Sequence, residues 1–277
     1  MEQITLASRE FEFNDYSVEP LEIDEDPSGL LRGGVGSTIW DAAIVLAKYL
    51  ERTNLLELTT SPAVSGSSTP VKILELGSGT GIVGLVAARM LSTKGYQGSK
   101  VTLTDKDNVV PLLHRNIEKN ASSGIDIESR VLDWEAVSGI KSKVKPSDTT
   151  TDNVANEGNI SGESTRSSKD NTTCKSTSTT IADVQDLLAV EWDLVILSDC
   201  IWVSALYGSL IGTINAIIKP GSKTRLVIAF EKRNFSEEME FFALLGKTFR
   251  FRDIKPEEQD SNYQSEDIYL FVCQRRT

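Results

Sequence analysis

The residues best equipped to do chemistry gather around a glycine turn. Ile73-Leu74-Glu75-Leu76 is an apolar run that breaks into Gly77-Ser78-Gly79-Thr80-Gly81 and enters a helical pattern at Ile82. Glycine suits such a turn because a side chain would hinder tight bending and close approach to a ligand. A helix starting there, expected over Ile82 to Met90, offers free N–H groups to a nucleotide-like molecule. A phosphate-binding loop would continue Gly-Lys-Ser/Thr, whereas Ile82-Val83-Gly84 follows, so that chemistry fails. Gly79, Gly81 and Gly84 do fit the GxGxxG dinucleotide pattern, with Asp105 at the end of the next strand. An S-adenosylmethionine site fits too, with Glu75 before the first glycine and the cofactor's amino-acid part over the turn.

Further handles lie downstream. Ribose hydroxyls need a carboxylate acceptor, which Asp105 could supply, and adenine needs an apolar or aromatic wall, which Trp134 could supply. Ser198-Asp199-Cys200-Ile201-Trp202 closes another apolar run. A strand-end cap at Asp105 and plain packing at Trp40 are the structural alternatives.

These residues need elements to position them. Thr5 to Phe13 and Tyr16 to Ile23 read as a hairpin turning at Asn14-Asp15. Ser37, after Gly33-Gly34-Val35-Gly36, is the expected N-cap of a helix to about Arg52. From Val71 strands and helices alternate: strands at Val71–Leu76, Lys100–Thr104, Ile127–Leu132, Asp193–Leu197 and Thr224–Phe230, with helices at Ile82, Asn108–Asn120, Ala205–Ile218 and Glu237–Lys247. The chain closes on strands Phe249–Ile254 and Asp267–Cys273. Alternation predicts an α/β fold, a parallel sheet with helices on both faces, and the final pair predicts one antiparallel partner at an edge. Ligands of such sheets bind beyond the carboxyl ends of the strands, where Glu75, Asp105, Trp134 and Asp199 all fall. Residues 61–70 read as a Ser/Gly/Pro linker and 141–180, nearly devoid of large apolar side chains, as a disordered insertion.

Composition narrows the classes. A chain of 277 residues with 39% hydrophobic and 25% charged content can bury one large α/β core. Glu2, Arg9, Glu10 and Glu12 exclude a signal peptide, and Asp41 and Lys48 interrupt the longest apolar run, so a cytoplasmic protein is expected. A formal net charge of -11 argues against a nucleic-acid binder. The three cysteines lack metal-ligand spacing and read as reduced thiols, and the single histidine, His114, reads as a surface or packing residue. No metal and no membrane partner are expected, and the default state is a monomer.

The run from Gly33-Gly34-Val35-Gly36-Ser37-Thr38-Ile39-Trp40-Asp41 to Leu50, followed by Glu75-Leu76-Gly77-Ser78-Gly79-Thr80-Gly81, resembles the seven-strand (class I) non-histone protein-lysine methyltransferases. Within that group the chain looks most like the members acting on the valosin-containing AAA ATPase, which Glu231-Lys232-Arg233 and Ser265-Glu266-Asp267-Ile268 also fit, so the resemblance implies that ATPase as the first acceptor to expect. Val110-Pro111-Leu112-Leu113 with Arg115-Asn116-Ile117 is closer to fungal methyltransferases of translation elongation factor 1A. The resemblance implies a Rossmann-like domain over 33–277 behind a hairpin extension at 1–32. It implies cofactor contacts at Trp40, Glu75, Gly77, Ser78, Gly79, Asp105, Trp134 and Ser198, catalytic roles for Asp199 and Trp202, and substrate contacts at Glu231 and Arg233. The family's signature is an acid, two residues, then an aromatic, usually tyrosine; here tryptophan stands at 202, offering a cation–π face but no hydroxyl.

Lysine would attack the methyl group only as a neutral amine. With an ordinary pKa of ~10.4, about one lysine in ~10³ is neutral at pH 7, a deficit of roughly 4–5 kcal/mol. Desolvation and a neighbouring sulfonium favour the neutral form, and a carboxylate opposes it. The role expected of Asp199 is therefore to orient the amine and accept its proton. The rival readings are methyl transfer to another substrate class, against which the missing Asn/Asp-Pro-Pro-aromatic motif speaks; a nicotinamide oxidoreductase, for which no proton-relay pair stands out; and a non-catalytic binding module.

Overall fold

The computed structural model describes residues 6–53, 58, 69–137 and 181–277. Along the chain these form β1 (Ala7–Phe11), β2 (Leu21–Glu25), α1 (Asp41–Arg52), β3 (Lys72–Leu76), α2 (Ile82–Thr93), β4 (Lys100–Asp105), α3 (Val110–Lys119) and β5 (Asp126–Val131). After the expected insertion come α4 (Ile181–Ala189), β6 (Leu194–Ser198), α5 (Tyr207–Ile217), β7 (Arg225–Glu231), α6 (Phe235–Leu245), β8 (Phe249–Asp253) and β9 (Ile268–Arg275). The stretch 141–180, Cys174 within it, and residues 61–68 of the linker lie outside the described residues.

The central strands β3, β6 and β7 are near-continuous apolar runs because both of their faces are buried. Side chains alternate between two cores. Ile73, Leu194, Ile196, Val227 and Ala229 join α1 and α2 on one face. Leu74, Leu76, Val195, Leu197, Leu226 and Ile228 join α4, α5 and α6 on the other. The sheet runs β5-β4-β3-β6-β7-β9-β8. Strands β5, β4, β3, β6 and β7 are parallel, and β9 is antiparallel to both β7 and the outermost β8. This is the expected Rossmann-like, seven-stranded sheet. Its connections reverse direction between β3 and β6, which opens a crevice at the carboxyl ends of those strands.

The hairpin is present, but its turn is longer than the expected Asn14-Asp15. β1 pairs with β2 from Ala7↔Glu25 to Phe11↔Leu21, leaving 12–20 as the connection. Packing overrides the turn preference. Phe13 is buried against Phe11, and Asn14 donates from Nδ2 to Asp260 at 2.6 Å. The outer edge of β2 is closed by side chains of α3 rather than by another strand. Asn120 accepts from Glu22 N–H and donates to Glu22 C=O, both at 2.9 Å. Asn116 does the same for Asp24, at 2.8 and 3.0 Å, and also donates to the Thr80 carbonyl at 2.9 Å. Four helical residues rise about 6 Å and two strand residues about 6.6 Å, so two amides one turn apart can match alternate strand residues.

Two further local expectations are corrected. Ser37 is not the N-cap of α1. Gly34–Ser37 form a 3-10 turn, and the helix starts at Asp41 with Trp40 as its cap. The hairpin causes this by strapping the segment down: Ser37 C=O accepts from Asp26 N–H at 2.8 Å, and Ile39 N–H donates to Glu25 Oε1 at 2.7 Å. Helix α4 fills the stretch between the expected insertion and the strand at Asp193, where no element was expected. Buried Val184 and Leu187 anchor it, and Trp192 Nε1 donates to Leu187 C=O at 3.1 Å. Among the described residues no helix is long and apolar enough to cross a membrane.

Candidate active site

Positive backbone angles build the turn after β3: φ is +65° at Gly77, +55° at Gly79 and +86° at Gly81. Only glycine enters that region without strain. Space excludes side chains as well. A Cβ on Gly77 would lie 2.6 Å from Cys200 Sγ and 3.1 Å from Trp134 Cζ2. One on Gly79 would lie 3.0 Å from the Gly36 carbonyl oxygen, so the segment before α1 rests directly on the turn.

The N–H groups expected to be free here are partly taken by the chain's own acids. Gly84 N–H donates to Glu75 Oε2 at 3.0 Å, and Gly79 N–H donates to Asp105 Oδ2 at 2.8 Å. Glu75 thus serves the first turn of α2 from below rather than facing a ligand openly. Burial pushes its carboxyl up to about 8, against the pull of the Gly84 N–H and Ser78. Burial raises Asp105 too, opposed by the N–H groups of Gly79 and Lys106. A carboxylate offers about four acceptor sites, so Asp105 keeps capacity toward ligand hydroxyls.

A cavity of about 380 Å³ opens over the turn, within the ~300–1,000 Å³ typical of small-molecule sites. Its lining brings together Trp40, Glu75, Gly77, Ser78, Gly79, Asp105, Trp134, Ser198, Asp199 and Trp202. Glu231 and Arg233 lie outside that lining, on the rim beside Asp199. Trp40 is 43% exposed and Trp202 51%, so both aromatic faces reach the mouth. Trp40 is held by a bond from its Nε1 to Val35 C=O at 3.0 Å. At the end of β6, Ser198 Oγ is buried with no hydrogen-bond partner among the described residues.

Asp199 turns the chain out of β6 with φ +52°, a left-handed angle, and its N–H donates to Ala229 C=O at 2.8 Å. Its carboxylate, 5% exposed, is gripped by Arg233: Nη1 to Oδ1 at 2.7 Å and Nη2 to Oδ2 at 2.8 Å. Arg233 Nη2 also donates to Glu231 Oε2 at 2.7 Å, and the guanidinium lies 5.6 Å from the centroid of the Trp40 ring.

Sequence reasoning missed Cys200 and Asn108. Cys200 packs under the glycine turn. Burial, then the charges of Asp105, Asp199 and Glu75, push its thiol well above the ordinary value. Asn108 lines the cavity and ties its wall together by donating from Nδ2 to Arg32 C=O at 2.9 Å. Cys200 stood between two singled-out residues; nothing local marked Asn108. His114 is exposed, with Nε2 3.4 Å from Glu118.

A family model described as "Lysine methyltransferase" matches residues 17–152 and 167–248. The chain belongs to the lysine methyltransferase family. The match runs from inside the hairpin connection through β7 and α6, so it takes in all the strand ends that form this site. Among relatives of this methyltransferase, "Protein-lysine N-methyltransferase EFM6" of Saccharomyces cerevisiae is 25% identical over 98% of this chain and 92% of its own length. "Protein N-lysine methyltransferase METTL21A" of Xenopus tropicalis is 34% identical, over 46% of this chain and 49% of its own. "EEF1A lysine methyltransferase 3" of Xenopus tropicalis is 32% identical, over 36% of this chain and 37% of its own.

Proposed function

We propose that this chain transfers a methyl group from S-adenosylmethionine to a lysine of a protein, and that its acceptor is translation elongation factor 1A. The observation that carries the reading is one crevice joining a Cβ-free glycine cradle to an open, aromatic, acid-floored mouth. Membership of the lysine methyltransferase family supports the reaction. A relative whose name specifies EEF1A supports the acceptor. The valosin-containing AAA ATPase, the acceptor that the sequence resemblance put first, is the alternative.

The residues present fit the cofactor. Gly77 and Gly79 leave backbone where a Cβ would intrude, Asp105 has acceptor capacity for ribose hydroxyls, and the buried Ser198 Oγ lacks a partner among the described residues. Trp134, packed on Gly77, would wall the adenine. When bound, the cofactor supplies a methyl group on a sulfonium, open to attack by a neutral amine. The chain's own part is to hold that amine in line, which supplies much of the acceleration in such reactions. Trp40 and Trp202 would flank the lysine stem and exclude water, and Asp199 would orient the nitrogen and take its proton.

The test is transfer of labelled methyl from S-adenosylmethionine to purified elongation factor 1A, to the AAA ATPase, and to an extract of cells lacking this chain. Mass spectrometry locates the label. One modified lysine in elongation factor 1A is expected. Label in the ATPase would replace the acceptor, and cofactor binding without any protein label would refute the reaction.

A further inference from the structure

The resemblance implies that Arg233 touches the protein substrate, but the geometry gives it another task. Both guanidinium edges are committed inside the chain, to the Asp199 carboxylate and to Glu231. The residue is also fixed at its base. Glu238, buried on α6, accepts the backbone N–H of Arg233 at 2.5 Å and of Asn234 at 2.8 Å. Neighbouring Lys232 points elsewhere, to Asp267 at 3.0 Å. An arginine held at base and tip, with its plane near Trp40, is built to stay where it is.

We propose that Arg233 is a positioning residue: it fixes the Asp199 carboxylate and offsets that charge toward the acceptor amine, rather than binding the acceptor protein. The inference rests on the lysine-methylation reading above. The amine must release its proton before its lone pair forms the N–C bond while the C–S bonding pair leaves on sulfur. A bare carboxylate beside it would hold the proton on. A bidentate guanidinium removes most of that effect; Oδ1 also accepts the Glu231 N–H at 3.3 Å, which leaves an Oδ2 lone pair outside the fork to orient the nitrogen. Asp199 just after β6, Glu231 on β7 and Glu238 on α6 are the charged groups acting on Arg233, and Trp40 at the start of α1 contributes a neutral face.

The test compares Arg233→Gln and Arg233→Lys with the wild-type chain. The acceptor is an extract of cells lacking the chain, used at several dilutions so that rates separate into kcat and apparent KM from pH 6 to 10. Arg233→Gln is expected to move the rising limb of kcat up by about one pH unit, a ~tenfold loss at pH 7 that largely recovers at pH 10, with KM unchanged or lower. Arg233→Lys keeps the charge but not the fork, so its limb should stay and kcat should fall a few-fold at every pH. S-adenosylhomocysteine affinity, measured by calorimetry, should stay within about twofold in both variants. A raised KM with an unmoved limb would make Arg233 a substrate contact, and a tenfold loss of S-adenosylhomocysteine affinity would make it part of the cofactor site; either overturns the proposal. An active wild-type chain whose variants match it would sink the Arg233 inference alone, whereas a wild-type chain that labels no protein would sink the reading beneath it.

Discussion

Glu75 should make this fold lose stability as pH rises through the neutral range. It is 1% exposed between β3 and α2, and burial raises its carboxyl from 4.5 to about 8. The unfolded chain gives up this proton near pH 4.5 and the folded chain only near pH 8, so the folded state binds more protons in between. Stability therefore falls as pH rises across that window and levels off above it. At 1.36 kcal/mol per unit the full span is about 5 kcal/mol, of which about 4 kcal/mol falls between pH 5 and pH 9. That is a large share of a typical domain's ~5–15 kcal/mol. Glu75→Gln keeps an acceptor for the Gly84 N–H but cannot ionise, so its stability should depend much less on pH. Asp105, also raised by burial, acts in the same direction in both proteins. Urea unfolding at pH 5, 6, 7, 8 and 9 measures both. The wild-type chain should lose about 4 kcal/mol more than the variant between the extremes. Parallel profiles would mean that Glu75 is ionised in the folded protein near pH 6, and the burial argument would fail.

Other perturbations separate the parts of the site. Gly77→Ala must adopt φ +65° and place a methyl 2.6 Å from Cys200 Sγ, so it should cost about 1–3 kcal/mol in urea unfolding and at least ~tenfold in S-adenosylhomocysteine affinity by calorimetry; unchanged affinity would remove the turn from the cofactor site. Asn116→Ala strands the Asp24 N–H and C=O and the Thr80 C=O, a loss of roughly 2–4 kcal/mol in urea unfolding if the hairpin is integral to the fold. Asp199→Ala should keep cofactor affinity but lower single-turnover methylation by ~10²-fold or more, the scale of a positioned proton acceptor; full single-turnover activity would remove Asp199 from the chemistry.

What could be read from the sequence was whatever local chemistry forces on local residues. Left-handed angles at three alternate positions favour glycine, so Gly77, Gly79 and Gly81 announced the turn. Short apolar runs alternating with helical patterns announced the parallel strands, and their carboxyl ends then placed Glu75, Asp105, Trp134 and Asp199 together, whereas Ser198 rested on the family resemblance. What was hidden depends on partners far apart in sequence. The asparagines that close the edge of β2 are 92 and 98 residues from their partners, and nothing near Asn116 or Asn120 distinguishes such a role from a helix surface. The N-cap expected at Ser37 failed for the same reason, because Glu25 and Asp26 on the hairpin had already set the path of the segment. Trp40 consequently owes its place at the mouth to a chain of contacts running from α3 through β2 to the 3-10 turn. Arg233 shows the limit most clearly. The family resemblance suggested a substrate contact, but the loop after β7 has no period, and the direction of the Asp199 side chain depends on φ +52°, an angle that aspartate tolerates without requiring. The pair becomes visible only when both strand ends stand side by side in the sheet, and there the arginine faces inward to the acid rather than outward to a substrate.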